Sequence, residues 1–236
     1  MTAKKAFSVS RDETPGQYSD FVGGVYGVLN DRSYAIWDML SNMQKFSMRS
    51  IKGIRKKDRQ EVTANLLLSL SWYTSLMNRL HVGVDDIVWN RFPYLCSYCG
   101  RRPCVCKAAK VERRTAVKGI ESMRPRTIRE FQEMFRKIYP PESRTLEDAG
   151  IHLAEEVGEL FEAFHMYLGR HRDADFDSIL LESADFYSCA MGVFNSLGVD
   201  YSDELAGMFP HNCNVCNNAP CTCTFDFVSG YKHRHD

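Results

Sequence analysis

The sequence predicts an all-α protein made of two tandem helical bundles, each ending in a cysteine-rich, zinc-binding segment. Three observations predict it. Apolar residues recur at helical spacing between recognisable caps and stops. The segments YLCSYCGRRPCVC and HNCNVCNNAPCTC share the pattern C-x2-C-x4-C-x-C, with a proline before the third cysteine in both. Upstream of them, LMNRLHVGVDD (76–86) matches VFNSLGVDYSD (193–203) when Gly83 is laid on Gly198. Two matching segments in the same order make a duplication the simplest account.

The chain divides accordingly into a flexible lead-in (1–17), a first repeat (18–106), a linker (107–126), a second repeat (127–225) and a tail (226–236). In the lead-in no apolar periodicity is visible. Residues 18–30 are apolar but glycine-rich and read as a weak helix. Ser33 is placed to cap a helix running to about Ile51, with Ile36, Trp37, Leu40, Met43 and Phe46 at helical spacing. A basic connection, 52–59, leads to an apolar helix from Glu61 to Leu80, and Gly83 is the expected stop. A short helix from about Asp85 precedes Cys96, Cys99, Cys104 and Cys106.

The linker is rich in Lys and Arg and has no sustained apolar stripe. Thr127 caps a helix to about Tyr139, which Pro140 and Pro141 end. Thr145 opens a long acidic helix. Its antiparallel partner runs from Asp177 or Ser178 to Leu197, with Gly198 as the stop. A short helix over 201–208 precedes Cys213, Cys216, Cys221 and Cys223.

With 44% hydrophobic and 12% aromatic residues the chain can bury a substantial core. Thirty basic and thirty acidic side chains cancel, so no global field favours nucleic acid or a membrane surface. No apolar run reaches the roughly 18 residues needed to span a bilayer, and the N-terminus has no secretory apolar region. A cytoplasmic setting follows as the expectation, one in which thiols stay reduced. Eight of nine cysteines lie in the two clusters. Four thiolates within eleven residues then point to tetrahedral zinc in a structural role, each cluster binding its own ion or the two pooling their sulfurs.

The long acidic helix carries IHLAEEVGELFEAFHMYLG, and its partner carries LLESAD. Leu153, Val157, Leu160 and Phe164 form the apolar stripe of the first. At about 100° per residue, Glu156 lies just off the stripe's edge and Glu159 slightly further out on the same flank, while Glu155 and Glu162 point away. Glu182 and Asp185 sit three apart on a helix that is apolar on most other sides. Four carboxylates converging between packed helices repel unless a cation lies among them, and oxygen-only ligands suit magnesium or manganese. In the chosen register Leu67 and Leu70 stand where Glu182 and Asp185 do, and residues 39–57 contain no acid. Only the second repeat is expected to hold the metal.

E-E-x-x-E followed about two dozen residues later by E-x-x-D resembles the signature of the MazG-like, all-α nucleoside triphosphate pyrophosphatases, relatives of dimeric dUTPases and dCTP pyrophosphatases. The resemblance covers residues 127 to about 205. It implies a four-helix, dimer-forming unit. The implied activity is magnesium-dependent hydrolysis of a (deoxy)nucleoside triphosphate to the monophosphate and pyrophosphate. It further implies Glu156, Glu159, Glu182 and Asp185 as metal ligands, with Glu155 a further ligand or the residue that orients water. Duplication would then make one chain a pseudo-dimer with one live site, a further homo-oligomer remaining open. One departure is that the region after the last helix, where the family carries phosphate-binding residues, is here the cysteine cluster. Lys52, Arg55, Lys56 and Lys57 of the first repeat are basic residues that a pseudo-dimer could bring to the triphosphate, although a solvated basic turn is the simpler reading of that stretch. The alternative is a nucleotide sensor with little turnover whose zinc-bearing ends dock a partner. A zinc-dependent nucleic-acid-binding protein would need a basic face that the neutral composition does not advertise.

Overall fold

A computed structural model describes residues 6–109 and 111–232. Among the described residues there are nine α-helices and no strand: α1 (Pro15–Ser33), α2 (Ile36–Lys56), α3 (Arg59–Leu80), α4 (Val84–Arg91), α5 (Ile128–Ile138), α6 (Leu146–Arg170), α7 (Asp173–Leu197), α8 (Tyr201–Met208) and α9 (Phe225–Gly230). The expected all-helical class is therefore observed. The helices form two compact units, one of residues 1–83 with 202–236, the other of residues 84–201. These units are not the two sequence segments 18–106 and 127–225. The first cysteine segment and α4 pack with helices of the second half of the chain, and the second cysteine segment packs with helices of the first half.

In the first unit, Thr14 closes a capping box with Gln17 and Pro15 occupies the first turn of α1, where its missing N–H costs nothing. Ser33 ends α1 rather than capping α2. The cap of α2 is Ala35, whose N–H donates to the Asp38 carboxylate at 2.8 Å, the reciprocal half of a capping box, while no side chain caps the first-turn N–H groups. The basic stretch expected as a connection is instead the last turn of α2, which ends at Lys57 in the left-handed region. Gly53 permits the tight entry into α3: a Cβ there would lie 2.8 Å from the Val62 nitrogen. Small polar residues stitch the helix faces, as in the buried Tyr18–Ser71 and Ser47–Ser69 hydroxyl pairs, both at 2.7 Å.

Two expectations at the chain ends change. Residues 1–5 and 233–236 lie outside the described residues. The rest of the expected lead-in is held in place: Val9 is buried, and its N–H donates to the Phe209 carbonyl at 3.1 Å. Residues 225–230 of the second repeat and tail form α9, capped by the Thr224 hydroxyl.

In the second unit, capping boxes at Thr127 with Glu130 and at Thr145 with Asp148 start α5 and α6 as expected. Helices α6 and α7 make a long hairpin that turns at His171 in the left-handed region. α7 begins at Asp173, before the expected start, because Arg172 folds back onto Asp175 with two bonds of 2.7 and 2.8 Å. Buried Gln132 ties α5 to the end of α7 by bonds to Asn195 Oδ1 (3.0 Å) and the Val199 carbonyl (2.8 Å), and it accepts from the Tyr201 N–H (2.8 Å). Phe92, just after α4, packs edge-on against Phe135 with centroids 5.2 Å apart. The expected linker also lies on this unit: Trp89 donates to Glu121 at 2.9 Å, and Arg124 bridges Asp85 and Asp86.

The helix ends also revise the repeat register. α3 stops at His81 and α7 at Gly198, both left-handed C-caps. Laying His81, not Gly83, on Gly198 superposes α4 on α8 and Phe92–Pro93 on Phe209–Pro210. The shift is two residues. Asn65 and Leu68, rather than Leu67 and Leu70, then stand at the positions of Glu182 and Asp185.

Candidate metal-binding and active site

Both cysteine clusters close into the arrangement their spacing implies. In the first, Cys96 and Cys106 Sγ lie 3.8 Å apart and Cys99 and Cys104 Sγ 3.9 Å. In the second, the Cys213–Cys223, Cys216–Cys221 and Cys221–Cys213 separations are 4.0, 3.8 and 3.5 Å. A tetrahedron of sulfurs about 2.3 Å from zinc has edges of about 3.8 Å, whereas a disulfide is about 2.05 Å. The donor sets fit zinc, and each cluster gathers its own four sulfurs.

Backbone geometry presets both. The Cys96 N–H donates to the Arg101 carbonyl, as Cys213 does to Asn218, and Gly100 and Asn217 take the same left-handed position. Backbone N–H groups of Tyr98, Cys106, Thr222 and Cys223 donate to sulfur, which favours thiolates. A side-chain hydrogen bond from Cys221 brings Cys213 down to about 5. Cys99, despite burial that pushes it up, is brought to about 7 by the N–H groups of Val105 and Arg101. Each cluster is pinned to a helix: the Cys104 N–H donates to the Ile138 carbonyl at the end of α5 (2.8 Å), and the Cys221 N–H to the Val25 carbonyl in α1 (2.7 Å).

The acidic constellation lies wholly in the second unit. Carboxylate oxygens of Glu156 on α6 and of Glu182 and Asp185 on α7 lie within 4.8 Å of one another. Glu159 is exposed and stands outside that close group, although its charge is felt by both Glu156 and Glu182. Glu155 is exposed on the outer side of α6. Burial, followed by the charges of Asp185, Glu159 and Glu182, pushes the Glu156 carboxyl up to about 8. Its Oε2 is buried without a hydrogen-bond partner. Burial and Asp185 also raise Glu182. Three acids this close, one with an orphaned oxygen, form a donor set that fits a hard divalent cation.

Arg91, from the short helix α4, was not anticipated. It grips Asp185 through two bonds of 3.1 and 2.6 Å, with both side chains largely buried. Glu156 and Asp185 open onto a cleft of about 660 Å³ whose other walls carry Lys107, Arg114, Arg144, Tyr98 and Tyr139. Arg144 stacks over the Tyr139 ring at 5.3 Å and lies where Gly192 leaves room, 3.1 Å from a Cβ built there. The four cations Arg91, Lys107, Arg114 and Arg144 thus come from α4, the first cysteine segment and the two connections around α5. Lys52, Arg55, Lys56 and Lys57 line no part of this cleft; they lie in the first unit at the α2–α3 turn. The basic excess of 107–126 was the visible signal for Lys107 and Arg114. Arg91 and Arg144 are single basic residues at a helix end and in a turn, and nothing in their spacing distinguishes them.

In comparisons with known proteins, no family model, curated protein or solved structure matches the chain.

Proposed function

We propose that the second unit hydrolyses a (deoxy)nucleoside triphosphate to the monophosphate and pyrophosphate, with magnesium or manganese held by its acids, and that the chain is a divergent member of the MazG-like pyrophosphatases. The observation that carries the reading is one cleft lined both by Glu156 and Asp185 of the close carboxylate group and by Lys107, Arg114 and Arg144. Glu156, Glu182 and Asp185 would hold the metal, with Glu159 completing the set. A metal there neutralises phosphate charge and lowers the pKa of a coordinated water. Lys107, Arg114 and Arg144, which line the cleft, would complement the charge of a triphosphate. Tyr98, the exposed ring in the cleft, would offer a face to a base. Glu155, exposed on α6 and outside the close group, would be a further ligand or the residue that orients water. Zinc held by Cys96, Cys99, Cys104 and Cys106 would fix the loop that carries Lys107.

The Arg91–Asp185 pair gives the sensor reading a physical basis, since a side-chain cation already occupies one candidate ligand. The two are separated by a panel of dNTPs and NTPs with magnesium, scoring pyrophosphate release against nucleotide binding. Pyrophosphate released with some substrate supports the enzyme. Tight binding of a nucleotide with no release across the panel supports the sensor and ends the catalytic proposal.

A further inference from the structure

The first unit has its own cleft at the equivalent place, with inverted chemistry. Counting back from the left-handed C-caps Lys57 and His171 puts Asn42 and Lys45 where α6 has Glu156 and Glu159. With Asn65 and Leu68 at the positions of Glu182 and Asp185, none of the four equivalent positions carries a carboxylate, and the Lys45 ammonium stands beside the Asn42 amide. The Lys45 Nζ donates to Asn42 Oδ1 at 2.7 Å and to the carbonyls of Ser229 and Val228 at 3.3 and 3.5 Å. Arg49, one turn on, donates to the Tyr231 carbonyl at 2.7 Å. Both cations lie over the Phe46 ring, at 4.6 and 5.5 Å from its centroid. Neither has a carboxylate partner among the described residues. Burial, then the charge of Arg49, pulls Lys45 down to about 8, as befits two neighbouring cations without a counter-anion.

Phe46 also lines a cavity of about 80 Å³ walled by Trp72, Phe209, Phe227 and Tyr231. Phe227 and Val228 of α9 and Tyr231 just after it line this cavity; the carbonyls of Val228, Ser229 and Tyr231 meet the two cations, and Phe225 at the start of α9 stacks on Tyr34 with centroids 5.5 Å apart. Carbonyl oxygens at a helix C-terminus carry only partial negative charge, so a phosphate would satisfy the same two cations more fully. An aromatic ring would replace Phe225 or Phe227 against Trp72 and Tyr34.

We propose that the first unit is a second nucleotide-binding site, one that needs no metal, in which Lys45 and Arg49 take the phosphates and α9 occupies the cleft in place of the ligand. A ligand must displace α9, so its apparent affinity is reduced by the fraction of chains in which α9 is closed. The inference does not depend on hydrolysis by the second unit, because that chemistry needs a divalent ion and Glu182, and this binding needs neither.

The test uses the full, zinc-loaded chain in buffer free of magnesium and manganese, with ATP and inorganic pyrophosphate as separate probes in calorimetric titrations. ATP should bind more tightly than pyrophosphate. Phe227→Ala, which loosens α9 at a half-exposed position, should tighten ATP by about 10-fold. Lys45→Gln and Arg49→Gln should each weaken it by about 10-fold, with thermal melts and zinc content confirming that the chain is folded. Absence of metal-free ATP binding in both the wild type and Phe227→Ala overturns the proposal. So does binding that both cation substitutions leave intact, or pyrophosphate binding as tight as ATP.

Discussion

Glu156 carries the sharpest consequences at the scale of single residues. Its folded pKa of about 8 stands above the ordinary carboxyl value, so the folded chain holds a proton that the unfolded chain releases. The metal-free fold should therefore lose stability as pH rises from about 4.5 to about 8. Melts in magnesium-free buffer at pH 5 and pH 8 should show the fall, and Glu156→Gln should flatten it. A metal needs the ionised form, so magnesium should bind more tightly and release a proton as pH approaches 8. Glu182→Gln should cut pyrophosphate release by about 100-fold or more while leaving the melt nearly unchanged. Wild-type turnover in that variant would remove Glu182 from the site. Arg91→Met leaves Asp185 unpaired beside two acids and should destabilise the metal-free chain by about 3 kcal/mol. Millimolar magnesium should restore much of that loss, which melts with and without the ion would read. Glu182 and Asp185 were legible because two carboxylates three apart stand out on an otherwise apolar helix, and Glu156 because it lies at the edge of the apolar stripe of α6. Arg91 was not, since its role depends on which helix α4 packs against, and pattern along one segment does not carry that.

Among the elements, those whose boundary chemistry is local were read well. Thr127 and Thr145 each form a complete capping box, and the α8 boundaries match the expected 201–208. Errors fell where a neighbour or the backbone overrode the side chain. Asp38 displaced Ser33 as the start signal of α2, and His81 took a left-handed stop in place of Gly83. The cysteine segments are elements in the same sense, organised by their own turns. Cys104→Ser should lower zinc from about two ions per chain to about one. It should also lower the melting temperature, because Cys104 anchors the end of α5; metal analysis beside a melt tests both.

For the whole molecule, the informative feature is that the compact units cross the sequence repeats. Residues 84–201 are one continuous stretch containing α4 through α7, the first cysteine cluster and the acidic cleft. Expressed alone, this stretch should unfold cooperatively and bind one zinc. The stretch 127–225 should not unfold cooperatively, since it lacks Phe92, Arg91 and the cysteine segment that closes on α5, although it keeps a four-cysteine cluster of its own. Urea melts of the two fragments decide the matter. A well-folded 127–225 would show that the sequence repeat, not the observed unit, is the folding unit.

Helical class, the two four-sulfur sites and the acidic pair on α7 follow from the chain alone, because each is set by spacing within a segment of some two dozen residues or fewer. Which cysteine segment closes which bundle, which cations face the acids, and how α9 comes to fill the first unit's cleft were decided only by tertiary structure. Those features depend on contacts between segments tens to nearly two hundred residues apart, chosen by which faces bury the most apolar surface together, and local periodicity is blind to that choice.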